Sequence, residues 1–264
     1  MKNSRADKCR KLVLPLLLAC ICVHLTVNTA SGSASDSKAK IVDLTHVLGP
    51  ALPDFHAGNA YEYKSLFSIA KDGYADGQFS TPEHYGTHID APSHFFSDGQ
   101  TIDQIPATKL ILPCLVIDVR KEVAADQDYR LTVEKIEAFE KQHAIAPNTA
   151  VLLLTGWSQR FSKPTEYRNA RENGMHFPAF SGEAADYLVN KKKVGALGLD
   201  TLSADYGQSK NYIVHKTALA KEVLLIENLS NLEQLPASGA TLFLGPLRIK
   251  SGTGSPARIL ALVP

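Results

Sequence analysis

Ser80-Thr-Pro-Glu-His-Tyr-Gly-Thr-His-Ile-Asp-Ala-Pro-Ser-His-Phe-Phe96 is the stretch of this 264-residue chain on which the reading of the rest depends. Three histidines, His84, His88 and His94, fall within eleven residues of it, together with Asp90. A helix would stack His84 on His88 one turn away, but Gly86, Ile89 and Pro92 disfavour that conformation. An extended segment alternates its faces and so predicts His84, Gly86, His88 and Asp90 on one side. Two imidazoles and a carboxylate that converge make a divalent-metal set, and three protein ligands leave a tetrahedral ion one position open for water. An open position points to catalysis. The bland alternative, four satisfied polar residues in an irregular loop, gives no reason for this concentration of ligand types.

Outward from that stretch, short apolar runs recur at Ile41 to Leu44, Cys114 to Val119, Ala150 to Leu154, Val194 to Leu199, Val223 to Ile226, Ala240 to Leu244 and Ile259 to Val263. These read as strands. Thr132 to His143 reads as an amphipathic helix capped by Thr132, with Val133, Ile136 and Phe139 on one side. Ser181 to Asn190 repeats the pattern and runs into Lys191-Lys-Lys193, a solvated helix end favourable to the helix dipole. Ser162 to Gly174 has no period, contains Pro164 and predicts an exposed loop, able to act as a lid. The fold class is α/β, one domain over 35–264 with mixed and antiparallel sheet.

Lys+Arg 28 against Asp+Glu 27 leaves a formal charge of +1, which gives no field for nucleic acid or an anionic membrane surface. A small molecule is the default partner. Basic residues Lys2 to Lys11 precede an apolar run from Leu12 to Val27, then small residues to Ala34, the pattern of a signal peptide over 1–34 and of a secreted protein. The competing reading is a membrane anchor, but sixteen residues with Pro15 and His24 fall short of the roughly twenty needed to span a bilayer. Cleavage after Ala34 would leave Cys114 as the one thiol, expected to be a buried small hydrophobe. The sequon Asn228-Leu229-Ser230 is expected to be too buried for a glycan.

The run His84-Tyr-Gly86-Thr87-His88-Ile-Asp90-Ala-Pro92-Ser-His94 resembles, without a departure, the signature of the cyclase superfamily that includes bacterial-type kynurenine formamidases and isatin hydrolases. The resemblance continues through Asp43-Leu44-Thr45-His46, Gly198-Leu-Asp200-Thr201-Leu-Ser203-Ala-Asp205, His215 and Glu227-Asn228-Leu229. It implies a swivelling β/β/α fold, commonly a homodimer or larger assembly, and a site for one or two ions. In that site His84, His88 and Asp90 would hold one ion, while Asp90, His215 and Glu227 would serve a second and Glu227 could bridge. Zn²⁺ is the first expectation and Mn²⁺ the second, since His and carboxylate ligands suit both. Glu227 is also the odd residue on its own terms: it ends an apolar run, where an unpaired carboxylate is costly. His94 takes the family's place for the catalytic acid/base.

Those roles imply a metal-dependent amidohydrolase, with arylformamidase activity, N-formylkynurenine to kynurenine and formate, as the expectation. Ring opening of isatin is the alternative enzyme reading, and a secreted metal-binding module without catalysis is the alternative of another class. No Gly-x-Ser-x-Gly elbow occurs in the chain, which disfavours a serine hydrolase. Trp157, directly after the strand ending at Gly156, and Phe95 are the candidate substrate contacts for an aromatic amide. Phe96, Phe79, Phe180 and Tyr206 are further aromatics on segments expected near the site.

Overall fold

Three apolar runs, Ala150–Leu154, Ala196–Leu199 and Leu224–Glu227, are buried at every position, as strands are when both faces of a sheet are covered. The computed structural model describes residues 39–56, 58 and 61–264; the expected signal peptide lies outside the described residues. The main strands are β1 (Lys40–Asp43), β2 (Glu62–Phe67), β3 (Asp76–Ser80), β4 (His88–Asp90), β5 (Ile111–Asp118), β6 (Ala150–Leu154), β7 (Ala196–Leu199), β8 (Leu224–Glu227), β9 (Ser238–Pro246) and β10 (Gly254–Val263). All seven apolar runs read from the sequence are strands.

The sheet closes on itself. Strands β5 to β8 are parallel neighbours, β8 pairs antiparallel with β4, β4 with β10, β10 with β9, and β9 with β5. This is a ring of seven, and closure removes the open edges that a flat sheet would expose. One edge of β10 is shared: residues 254–256 pair with β4 and residues 260–263 with β1.

Side-chain alternation then divides the core in two. Ile89, Val116, Leu152, Ala196, Ile226, Leu242 and Ile259 belong to one cluster that draws on all seven strands, which is the barrel interior. Leu115, Ile117, Val151, Leu153, Leu197 and Leu225 point the other way, into a second cluster shared with the helices. Those helices are α1 (Val133–Glu140), α2 (Gly182–Asp186, continued by a wider π-type turn over Tyr187–Lys191) and α3 (Ile213–Leu219). Thr132 and Ser181 cap the first two as their types predict, their hydroxyls accepting from Lys135 N–H at 3.3 Å and Ala184 N–H at 3.0 Å.

The fold departs from the sequence reading at two places. The segment 162–174 is not a structureless exposed loop: Pro164 starts a short helix, Pro164–Arg168, and Tyr167 is fully buried. Pro at a first helical position loses no hydrogen bond, so it is a start signal here rather than a breaker. Strands β2 and β3 form a hairpin that the apolar runs did not reveal, because every residue of β2 is exposed. No helix among the described residues is long and apolar enough to cross a membrane.

Candidate metal centre

Strand β4 alternates, so Ile89 enters the barrel while His88 and Asp90 face the helix side. Register with β8 sets Glu227 beside His88 and Leu225 beside Asp90. From α3, His215 closes over the same spot. His88 Nε2 lies 3.3 Å from Asp90 Oδ1 and 3.4 Å from Glu227 Oε2, and His215 Nε2 lies 3.4 Å from Asp90 Oδ2 and 3.3 Å from Glu227 Oε1. Each imidazole therefore meets one oxygen from each carboxylate.

His84 arrives differently from the extended reading. The chain is extended only over residues 88–90, and Gly86 takes φ +64°, a left-handed turn that Gly adopts without strain. The turn still delivers His84 to the site, its Nδ1 2.6 Å from Asp90 Oδ1. A Cβ at Gly254 would stand 2.9 Å from that same Nδ1, so glycine is what lets the ring lie against β10. His94 stacks on His84 at 3.9 Å between ring centroids. One of its ring nitrogens is within 4.8 Å of ligand atoms of both Asp90 and His215.

Whether these residues fit a metal can be judged from the donor atoms. The 3.3–3.4 Å separations match the edge of about 3.3 Å in a tetrahedron with metal–ligand bonds of about 2.0–2.1 Å. Asp90 Oδ2 is buried and accepts no hydrogen bond among the described residues. Two buried carboxylates need positive charge, and none of the described residues lining the cavity is Lys or Arg. The imidazoles supply that charge in the ion-free chain. Burial opposes a charged His88, yet hydrogen bonds to Asp90 and Glu227 outweigh it and push its pKa up to about 10. His215 is likewise raised, against its burial, by Asp205, Asp90 and Glu227. Burial would raise Asp90, but His84 and His215 hold it well below the carboxylate range. His94 is the exception: burial lowers it to about 4, leaving it neutral at neutral pH.

Behind each ring sits a partner that fixes the tautomer, as metal-binding histidines require. His215 Nδ1 meets Asp205 Oδ2 at 2.7 Å, and the same carboxylate accepts from the N–H groups of Val214 and His215. His88 Nδ1 donates to the Gly86 carbonyl at 2.9 Å. His84 Nε2 donates to Thr253 Oγ1 at 3.0 Å, because the Thr253 hydroxyl is committed to Glu83 at 2.6 Å. Of these supports, Asp205 stood in the motif read from the sequence, ten positions before His215, without a role. Glu83 and Thr253 carried no signal, being 170 residues apart.

The cluster opens on a cavity of about 300 Å³ whose walls include Phe55, His56, Phe95, Leu202 and Tyr212. Phe95 is there as expected, 5.0 Å from the His215 ring. Trp157 is not. Gly156 turns left-handed after β6 at φ +78° and sends Trp157 into the helix-side core, where its indole N–H donates to the Tyr167 carbonyl at 2.7 Å. Phe180 and Tyr206 line a separate surface depression with Arg130, and Phe79 lies on β3.

A family described as "Putative cyclase" matches residues 42–206. The chain belongs to this cyclase family. It is 38% identical over 246 residues to an isatin hydrolase of Roseibium aggregatum, covering 86% of this chain and 93% of the relative. A kynurenine formamidase of Sphingopyxis alaskensis is 27% identical, over 84% of this chain and 97% of that one. The crystal structure of an isatin hydrolase bound to the product analogue thioisatinate superposes with a TM-score of 0.80 at 36% identity, covering 86% of this chain and 93% of that one. Within the cyclase family, the similarity to these relatives covers 84–86% of this chain.

Proposed function

We propose that this cyclase-family protein is a metal-dependent hydrolase that opens the amide C–N bond of a small, uncharged aromatic ring amide of the isatin type. The observation that carries the reading is the cluster of buried His88, Asp90, His215 and Glu227 with half-buried His84, at the floor of an aromatic cavity without a Lys or Arg in its described lining. Such a cavity suits a flat neutral molecule and offers no cation for a substrate carboxylate. The greater identity with an isatin hydrolase than with a kynurenine formamidase points the same way.

A divalent ion held there, Zn²⁺ first and Mn²⁺ second, supplies a Lewis acid for the carbonyl and brings the pKa of water from 15.7 towards about 7. The protein's own groups do the rest. Phe55, Phe95 and Tyr212 sandwich the ring, and Asp90 and Glu227 fix the positive charge near the carbonyl. His94, neutral and stacked against His84, accepts the proton of the attacking water and returns it to the departing nitrogen. Arylformamidase activity on N-formylkynurenine is the second reading; Asp54 at the cavity rim could receive that substrate's ammonium group. The leader over 1–34 makes this a secreted enzyme, and the exposed Tyr63, Leu66 and Phe67 of the hairpin are the surface on which we place a homodimer.

The test is hydrolysis of isatin and of N-formylkynurenine by the purified protein, as isolated, after chelation, and after Zn²⁺ or Mn²⁺ is restored. Metal-restored opening of isatin is expected, with the formamide slower. Turnover of neither, with stoichiometric metal bound, sinks both substrates. His94→Gln should lower kcat about 10²–10⁴-fold with metal content unchanged, whereas a non-catalytic binding module would show no turnover to lose.

A further inference from the structure

Asn228 follows Glu227 in a left-handed conformation, φ +55°, and is buried. Nothing in the ligand set explains it. Its side-chain Nδ2 donates to the Gly86 carbonyl at 2.9 Å, the same oxygen that receives His88 Nδ1 at 2.9 Å. Its own carbonyl accepts from Thr87 Oγ1 at 2.6 Å. Two hydrogen bonds of opposite sense therefore clamp Asn228 to the turn at residues 86–87, immediately before His88.

The amide can lie only one way round. Tyr167, fully buried, directs its hydroxyl at Asn228 Oδ1, 3.0 Å away, and at the Asp200 carbonyl, 2.9 Å away. A flipped amide would set Oδ1 against the Gly86 carbonyl, acceptor facing acceptor, and leave Oδ1 without a donor, while the Gly86 carbonyl kept only His88 Nδ1–H. With Nδ2 fixed on Gly86, that carbonyl is held where only a protonated His88 Nδ1 can meet it, so the proton that a metal displaces is the one on Nε2, and the lone pair it frees faces Asp90 and Glu227.

We propose that Asn228 and Tyr167 are positioning residues that set the tautomer and plane of His88 for a divalent ion. The inference rests on His88 being a metal ligand, as in the function proposed above. Outer partners of ligand histidines are worth about 10–100-fold in metal affinity.

The experiment measures the Kd for Zn²⁺ by competition with a chromogenic chelator, together with the long-range ¹H–¹⁵N spectrum of the histidine rings in the Zn²⁺-loaded protein. Asn228→Ala should raise Kd about 10–100-fold and broaden or split the His88 Nδ1–H signal. Tyr167→Phe, which keeps the ring packing, should move both readouts in the same direction by less. Ile226→Val, which loosens β8 from the barrel side without touching the clamp, should leave Kd alone. A folded Asn228→Ala with unchanged Kd overturns the proposal, as does an equal rise in Ile226→Val. Should Asn228→Ala not fold, Tyr167→Phe decides: unchanged Kd and spectrum overturn it. A wild-type protein that binds neither Zn²⁺ nor Mn²⁺ instead defeats the ligand reading itself, a different and recognisable failure.

Discussion

His88 and His215 reach the same two carboxylates, one from strand β4 and one from helix α3, at matching distances of 3.3–3.4 Å. What stands behind them differs. His215 is backed by a carboxylate, Asp205, at 2.7 Å, and His88 by a neutral carbonyl, Gly86, at 2.9 Å. A carboxylate raises the basicity of an imidazole more than a carbonyl does, so the two halves of the centre are alike in geometry and unequal in strength. The strand half relies on position, through the Asn228 clamp, and the helix half on charge.

The largest expected effect falls where the halves meet. Asp90→Ala removes a partner from His84, His88 and His215 together and should abolish stoichiometric metal, read by elemental analysis. Breaking a buried pair in this way should also cost about 3–5 kcal/mol of stability, read by denaturant unfolding. Next comes Asp205→Asn, which keeps a polar group behind His215 but removes the charge. It should weaken Zn²⁺ towards the upper end of the roughly 10–100-fold range for outer partners, and more than Tyr167→Phe does. Equal losses from the two would show that charge is not what separates the halves.

A gentler handle is pH. In the ion-free chain His88 and His215 are held above their ordinary value of 6.5, so the stability they contribute is complete below pH 6.5 and is lost as pH rises through the folded value, about 10 for His88. Asp90 and Glu227 are held below their ordinary values of 3.8 and 4.5; their contribution is present above those values and is lost on further acidification. The Tm of metal-free protein should therefore decline from pH 6.5 towards 10. Bound metal, which displaces the imidazole protons, should flatten that decline, and a metal-free Tm that rises over the same range would contradict the charge assignment. Smallest is Thr253→Ala behind His84, whose side chain keeps 25% of its exposure. Water can replace the hydroxyl there, so the cost should be about 1 kcal/mol or less, measured as Zn²⁺ affinity.

Much of this centre was legible in the chain because its ligands are crowded together. His84, His88, Asp90 and His94 lie within eleven residues, and their types alone name the chemistry. His215 and Glu227 came from family resemblance, since a lone histidine on a helix and a carboxylate after Val-Leu-Leu-Ile have ordinary structural explanations. Trp157 was misplaced for a local reason: position after a strand does not say which way a left-handed glycine will send the next side chain. The hairpin β2–β3 went unread because its apolar residues, among them Tyr63, Leu66 and Phe67, are exposed and do not form a buried run.

The sequence by itself determined the strands of the buried sheet and the ligand chemistry, because apolar runs encode burial and residue types encode donor atoms, both of them local properties. It did not determine which strand lies beside which. Only the closed ring brings residues 254–256 against 88–90 and sets Glu227 level with His88. Two of the supports are decided there too: Thr253 behind His84 and Asn228 over Gly86 are pairings across the fold. Their reason is physical. A buried polar group must find a partner wherever packing has put one, and packing is fixed only when the whole sheet has closed.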